Sequence, residues 1–470
     1  MTCTPRGGAA GQRGTRVVAG ARAELRERAK AIWFAAVGAA EPQALLHAAF
    51  DDPGLGLRAA VENARAIRVV GAGKAGAAMC AGLEDLLADR LDRVQGVVNV
   101  PAEAVRPLRA IRLHAARPAG SNEPTAEGVE GTRQILDLVS QSHRDDIVLC
   151  LLSGGGSALL PAPVDGVSLA DKQLVTRLLH ACGATINEMN AVRKHLSRVK
   201  GGQLARAFTG RHLTSLIISD VIGDPLDVIA SGPTAADPTT FADALGVLEK
   251  YQLTARVPPA VRAYLDRGAA GQEPETLKQL PPNVTNAVIG NNARSLAAAQ
   301  AKAEELGYRV LNLGSYIEGE TRQVATAFAG VVRSIREQGR PLPPPACVLS
   351  GGETTVTLAD DHGLGGRNQE FVLAALHKLG KAGMPGVVVL SGGTDGEDGP
   401  TDAAGAVADA DTLDRAERLG MSAARFLARN DAYSFFEATG DLLKTGLTET
   451  NVMDVRVILI GGGEVRSTPL

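Results

Sequence analysis

Ile67-Arg-Val-Val-Gly-Ala-Gly-Lys-Ala-Gly76 is the stretch that decides the fold class, because a short apolar run breaks there into a glycine-rich loop. The loop runs straight into a helix-forming segment, Met79-Cys-Ala-Gly-Leu-Glu-Asp-Leu-Leu-Ala-Asp-Arg-Leu91. Strand, tight loop and helix follow in that order. The same succession recurs at Ile147–Leu152 before Ser153-Gly-Gly-Gly-Ser157, at Ser215–Ser219 before Asp220, and at Val288–Asn292. It returns at Cys347–Leu349 before Ser350-Gly-Gly-Glu353 and at Val387–Leu390 before Ser391-Gly-Gly-Thr-Asp395. Short β-branched runs alternating with helical segments indicate βαβ units, and continuously apolar strands indicate a parallel sheet covered on both faces. The expected class is α/β.

Length sets the number of cores. A chain of 470 residues exceeds what one hydrophobic core usually holds, so two domains are expected, each a mainly parallel sheet with helices on both faces. The segment Val257–Pro282 is rich in proline, glycine and charge, which places the domain boundary near its end. Residues 1–22 lack periodicity and read as a poorly ordered leader, 23–283 as the N-terminal domain and 284–463 as the C-terminal one. From Ala23 apolar residues recur at three- and four-residue spacing, with a proline break between two helices. A formal net charge of -3 supplies no electrostatic footprint for a polyanion, so no nucleic-acid partner is expected. Cys3, Cys80, Cys150, Cys182 and Cys347 are scattered and never spaced as CxxC, which argues for reduced thiols rather than disulfides or zinc. No signal peptide or membrane-length apolar run is found, and the expected location is the cytoplasm.

Glycine-rich turns at the carboxyl ends of parallel strands let backbone N–H groups converge on an anion. Four such segments, starting at Gly71, Ser153, Ser350 and Ser391, read together as phosphate cradles, although glycine also serves plain turn geometry. Gly71, Gly73 and Gly76 satisfy the GxGxxG fingerprint of a Rossmann-like dinucleotide domain. The acidic residue that should end the next strand is absent, since Val94–Val100 runs into Pro101 with Glu103 beyond. Lys74 inside the loop can place an ammonium beside phosphate oxygens, and no GxxxxGK[ST] occurs. Asn190–Ala205 carries Arg193, Lys194, Arg198 and Lys200, either anion ligands or a solvated helix face. Asp220, Asp224 and Asp227 follow an apolar strand, and one or two carboxylates beside phosphate loops are what Mg²⁺ uses. Asp220 is the first choice. Arg367, on the Gly365-Gly366 bend, suits a two-pronged contact with a carboxylate or phosphate. Asp395, Glu397, Asp398 and Asp402 crowd one glycine-rich loop, which suggests a metal or polar ligand or else a solvated turn.

With these residues in view the chain resembles the glycerate 2-kinases of the class II or MOFRL type, some of which carry an older label of hydroxypyruvate reductase. The resemblance runs from Gly71-Ala-Gly-Lys-Ala-Gly76 through Leu151–Leu160, Asn190–Ala205, Ile218–Thr240, Ser350–Val356, Gly363–Leu376 and Ser391–Ala406 to Thr450–Val457. It implies a Rossmann-like N-terminal domain, a MOFRL-type C-terminal domain and an active site between them. The implied reaction transfers the ATP γ-phosphoryl group to the 2-hydroxyl of D-glycerate with Mg²⁺. It also implies functional roles for Lys74, Arg367 and Asp220. Within this reading Gly71, Gly73, Ser153, Gly154, Gly155, Gly156, Ser157, Lys200, Gly352, Glu353 and Asp395 are assigned to ATP. Lys74, Arg193, Arg367 and Asn368 are assigned to glycerate, and Asp220 and Asp224 to the metal. Two segments depart from the family pattern: His114–Asn122 stands where many relatives have an HPxPD-like run, and Thr445-Gly-Leu-Thr448 where TGPT is usual. The first bears on the acceptor pocket. A nicotinamide-dependent hydroxypyruvate reductase and a non-catalytic binder of nucleotides or sugar phosphates are the alternatives, and a homodimer is left open.

Overall fold

The computed structural model describes residues 9–118 and 123–462, with side chains from Arg22 onward. Residues 1–8 of the expected leader, Cys3 among them, and 119–122 of the altered segment lie outside the described residues; a helix, Ala9–Gly38, runs through the rest of the leader.

The chain forms two compact units. The first comprises Ala40–Asn291 with Glu449–Val452. Its sheet contains β1 (Ile67–Ala72), β2 (Val94–Pro101), β3 (Ile111–Arg117), β4 (Ile147–Leu152), β5 (His212–Ile218) and β6 (Val284–Gly290). All pairs are parallel and the spatial order is β3-β2-β1-β4-β5-β6, the doubly wound order that reverses direction between β1 and β4. Alternation along the strands explains why both faces are covered. Val69, Leu149 and Leu151 join one core with Leu46, Met79 and Leu83, while Val70, Cys150 and Leu152 join the other with Ile135 and Val139.

The second unit takes the helix Ala9–Gly38, Asn292–Thr448 and the final strand. Its strands are β7 (Arg309–Asn312), β8 (Ala346–Gly352), β9 (Val387–Gly393), β10 (Gly405–Ala408), β11 (Leu442–Leu443) and β12 (Asp454–Ile460), in the order β11-β10-β9-β12-β8-β7. The α/β class holds in both units. Pairing here is mixed rather than mainly parallel, because β12 inserts antiparallel between β8 and β9; among the described strands of this unit only β7 and β8 pair in parallel.

The boundary expected after residue 283 falls instead after Asn291, because β6 completes the first sheet through its pairing with β5. A second correction concerns the first helix, which was expected in the N-terminal domain. Ala29, Ile32, Trp33 and Ala36 lie on one helix face and bury against Leu349, Leu390 and Val457 of the second sheet. Gly392 has no Cβ there because one would come within 2.9 Å of the Trp33 ring, whose Nε1–H donates to the Gly392 carbonyl at 3.3 Å.

One buried cation near the first sheet sets a measurable pH dependence. The helix Leu169–Ala181 opens with a capping box, Ser168 with Asp171, and buries Lys172, whose Nζ donates to the Leu196 carbonyl at 2.9 Å. Burial, then the nearby Arg193 charge, pushes the Lys172 ammonium down to about 7. The unfolded chain, with a lysine value of about 10.4, therefore holds more protons between the two values. The cost of burying the charge is full below the folded value and is relieved as pH rises through that window. Lys172→Met is expected to raise the thermal midpoint near neutral pH, with a gain that shrinks toward alkaline pH. An identical gain at both ends would show that the ammonium carries no burial penalty.

Candidate functional site

In doubly wound sheets ligands bind beyond the carboxyl ends of the strands where the order reverses. That point lies between β1 and β4, and it carries the first two glycine-rich segments. Gly73, at φ +153°, could not carry a side chain, since a Cβ would fall 1.9 Å from Ser153 Oγ. The two loops consequently lie against each other. The Lys74 N–H donates to the Gly154 carbonyl at 2.8 Å and the Ala75 N–H to Ser153 Oγ at 3.1 Å. Gly155 takes the left-handed conformation, and the position of a Cβ there is 3.6 Å from both Lys74 Cγ and Arg117 Nη2. A Cβ on Gly154 would meet Asp220 Oδ2 at 2.3 Å, and Asn451 Nδ2 donates to that same oxygen at 3.3 Å. Lys74, Arg117, Asp220 and Asn451 thus surround the Ser153–Gly155 turn.

A second group of cations adjoins it. Arg193 Nη2 and Lys200 Nζ both donate to Ser157 Oγ, Lys200 at 3.1 Å and also to the Ser157 carbonyl at 2.7 Å. The facing backbone is strained: Ala230 and Ser231 have φ of +51° and +61°, where non-glycine residues cost about 1–3 kcal/mol each. Backbone bonds from Gly201 N–H to the Ser231 carbonyl (3.1 Å) and from Gly202 N–H to the Gly232 carbonyl (2.7 Å) hold it in place. Lys194 does a different job from its neighbours: it is buried and ion-paired with Asp227 (3.0 Å) and Asp237 (3.2 Å). Arg198 is exposed and within ion-pair distance of Asp165.

Of the expected metal ligands, Asp220 is half-buried beside the Ser153–Gly155 turn, whereas Asp224 accepts a hydrogen bond from Asn291 Nδ2. Among the described residues no group of three or more His, Cys, Asp or Glu side chains could by itself hold a metal ion. One carboxylate next to a glycine-rich turn does fit Mg²⁺, which takes one or two protein carboxylates and completes its shell with other oxygens and water.

In the second unit the expected turns at Ser350 and Ser391 are instead the last residues of β8 and β9. Their glycines admit close neighbours. A Cβ on Gly351 would strike the Asn292 side chain at 1.6 Å, and one on Gly352 the Ile317 carbonyl at 2.3 Å. Asp454 begins β12 and sits in register between Gly352 and Gly393. It has no solvent exposure and accepts from Arg367 Nε (2.7 Å), Arg367 Nη2 (3.1 Å), Asn368 Nδ2 (2.8 Å) and Arg456 Nη2 (3.4 Å). The two-pronged contact expected of Arg367 is therefore made, but to Asp454. Its remaining edge reaches Glu353 through Nη1 at 2.9 Å.

The acid-rich loop divides by burial. Asp398 is buried and accepts the first N–H groups of the helix Arg367–Gly383, from Asn368 at 2.9 Å and Gln369 at 2.8 Å. Burial nevertheless pushes its carboxyl up to about 7. Asp395 Oδ1 accepts from the Glu397 N–H at 3.2 Å, and Asp402 pairs at the surface with Lys444 and Tyr433.

Sequence reasoning missed Arg117, Asn451, Asp454 and Arg456. The last three lie in Thr450–Val457, a string that carried the family resemblance but received no roles. Its signal was legible: Asp454 and Arg456 are the charged residues of a strand otherwise composed of Val, Ile and Leu.

Comparison with known proteins shows the family. Residues 28–266 match a family model described as a domain of unknown function (DUF4147), and residues 346–454 match the MOFRL family. The chain is 39% identical over 394 residues to the glycerate 2-kinase of Pyrococcus horikoshii, covering 84% of this chain and 87% of that protein. It is 43% identical over 396 residues to an Agrobacterium vitis protein provisionally named a hydroxypyruvate reductase, covering 84% of this chain and 99% of that one. The crystal structure of a glycerate kinase from Thermotoga maritima superposes with a TM-score of 0.81 at 36% identity, covering 93% of this chain and 99% of that one. The chain belongs to the glycerate kinase family and carries a MOFRL segment toward its C-terminus.

Proposed function

We propose that this enzyme transfers the ATP γ-phosphoryl group to the 2-hydroxyl of D-glycerate, giving 2-phospho-D-glycerate and ADP. The observation that carries the reading is the convergence of Lys74, Arg117 and Asp220 on the Ser153–Gly155 turn at the point of strand reversal. Phosphoryl transfer is catalysed mainly by positioning and by neutralising charge, and this arrangement supplies both. Lys74 meets charge developing on the transferred group, the backbone of Ser153–Gly156 cradles nucleotide oxygens, and Asp220 is the protein ligand for Mg²⁺. Magnesium, when bound, neutralises and orients the nucleotide phosphates. Asp454 fixes the orientation of Arg367, to which the family resemblance also assigns a role.

A reductase would need an acid at the end of β2 to hold the cofactor ribose. That end is Asn99-Val100-Pro101, and the Asn99 amide is spent on the carbonyls of Gly128 and Leu159 and the hydroxyl of Thr132. Among the described residues no helix is long and apolar enough to cross a membrane, and a cytoplasmic location is part of the proposal. The test is phosphorus NMR of the product formed from ATP, Mg²⁺ and a panel of small hydroxy acids. A 2-phosphoglycerate signal from D-glycerate is expected. Nicotinamide oxidation by hydroxypyruvate without any ATP-dependent product would sink the proposal.

A further inference from the structure

We propose that Arg193 and Lys200 form the seat for the carboxylate of the acceptor, with the Ser157 hydroxyl holding the place of a carboxylate oxygen between them. This rests on the kinase reading above and adds which residues recognise the acceptor's charge.

A serine hydroxyl accepts two hydrogen bonds and donates one. Arg193 Nη2 and Lys200 Nζ supply both of the bonds that Ser157 Oγ can accept. Its hydrogen is then directed to Ser231 Oγ at 2.9 Å, and the Ser231 hydrogen passes to Asn190 Oδ1 at 3.1 Å. Two basic side chains therefore lean on one neutral oxygen whose polarity is fixed by the chain behind it. The other acceptors of Lys200 are also neutral, the carbonyls of Ser157 and Ala230. Among the described residues neither Arg193 nor Lys200 has a carboxylate within ion-pair distance. Lys194 shows that this is no general habit of the segment, because that lysine, equally buried, faces two aspartates.

Buried charge without a counter-charge is costly. Burial holds both side chains below their ordinary values, and for Lys200 the neighbouring charges of Arg193 and Lys172 add to the effect. An incoming anion would remove that cost. Access is provided, since Arg193 and Ser157 are half-buried while Lys200 forms the floor. Position favours the acceptor over the nucleotide. A 2-hydroxy acid carries its carboxylate one carbon from the attacking oxygen, so the seat must adjoin the phosphoryl path. Ser157 lies two residues beyond Gly155, where Lys74 and Arg117 converge. Arg367, the other candidate for this task, has its fork committed to Asp454.

The test uses Arg193→Met and Lys200→Met in the full-length protein, with thermal melts to confirm folding. Loss of one charge-assisted contact is expected to raise the KM for D-glycerate by about tenfold or more, with the KM for ATP nearly unchanged. Calorimetric binding of D-glycerate in the absence of ATP should weaken in parallel. Glyceramide, in which an amide replaces the carboxylate, should bind the wild type weakly and the variants no worse. If Lys200→Met fails to fold, the half-buried Arg193 variant carries the test. A raised KM for ATP with unchanged glycerate binding would assign the seat to a phosphate and overturn the proposal, as would no change in either. Wild-type protein that binds D-glycerate through Arg193 yet never phosphorylates it would instead overturn the kinase reading and leave the seat standing.

Discussion

Lys74→Ala is expected to slow ATP-dependent turnover of glycerate by at least about a hundredfold, the scale on which removal of one transition-state donor acts. The backbone of residue 74 is fixed by its N–H bond to the Gly154 carbonyl, which survives the substitution, so the loss isolates the ammonium. The stem of Lys74 already lies beside the Ser153–Gly155 turn. Initial rates at saturating ATP and glycerate, with a thermal melt to show an unchanged fold, provide the measurement. Turnover within a few-fold of wild type would remove Lys74 from the reaction and with it the proposed phosphoryl path.

Asp454→Ala is expected to cost about 3–5 kcal/mol of folding stability, the penalty for stripping one partner from a buried charge network. Asp454 has no solvent exposure, and it accepts hydrogen bonds from both Arg367 and Arg456. Arg456 is itself fully buried, with its guanidinium over the Phe371 ring at 5.2 Å and a bond to Thr354 Oγ1 at 3.1 Å. Neither contact replaces a counter-charge. Arg367 would lose the fork that orients it, so activity should fall together with stability. Asp454→Asn retains an acceptor and should be milder on both measures. Urea unfolding followed by circular dichroism reads the first quantity. A change below about 1 kcal/mol, the worth of an ordinary exposed pair, would mean that Arg456 is compensated elsewhere.

Much of the first unit was legible because local chemistry and tertiary placement coincide there. β1 and β4 announce themselves as apolar runs, and the glycines after them are required by the close approach of Ser153 to Gly73 and of Asp220 to Gly154, a constraint that leaves its mark in the sequence. The second unit was less legible. The segments at Ser350 and Ser391 look the same on paper, yet their glycines end strands and admit Asn292, Ile317 and Trp33 from distant parts of the chain. The strands β7, β10 and β11 are two to four residues long, too short for periodicity to register.

The sequence by itself determined the α/β class and the family, because each rests on short-range spacing; at the first sheet's point of reversal it singled out Lys74 and Asp220 but not Arg117. Tertiary structure alone decided which charges face one another: that Arg367 is held by Asp454, that Lys194 is neutralised by two aspartates, and that Arg193 and Lys200 share a serine. Pairing depends on residues tens of positions apart being brought within about 3 Å, the reach of a hydrogen bond, and no spacing along one chain encodes that distance.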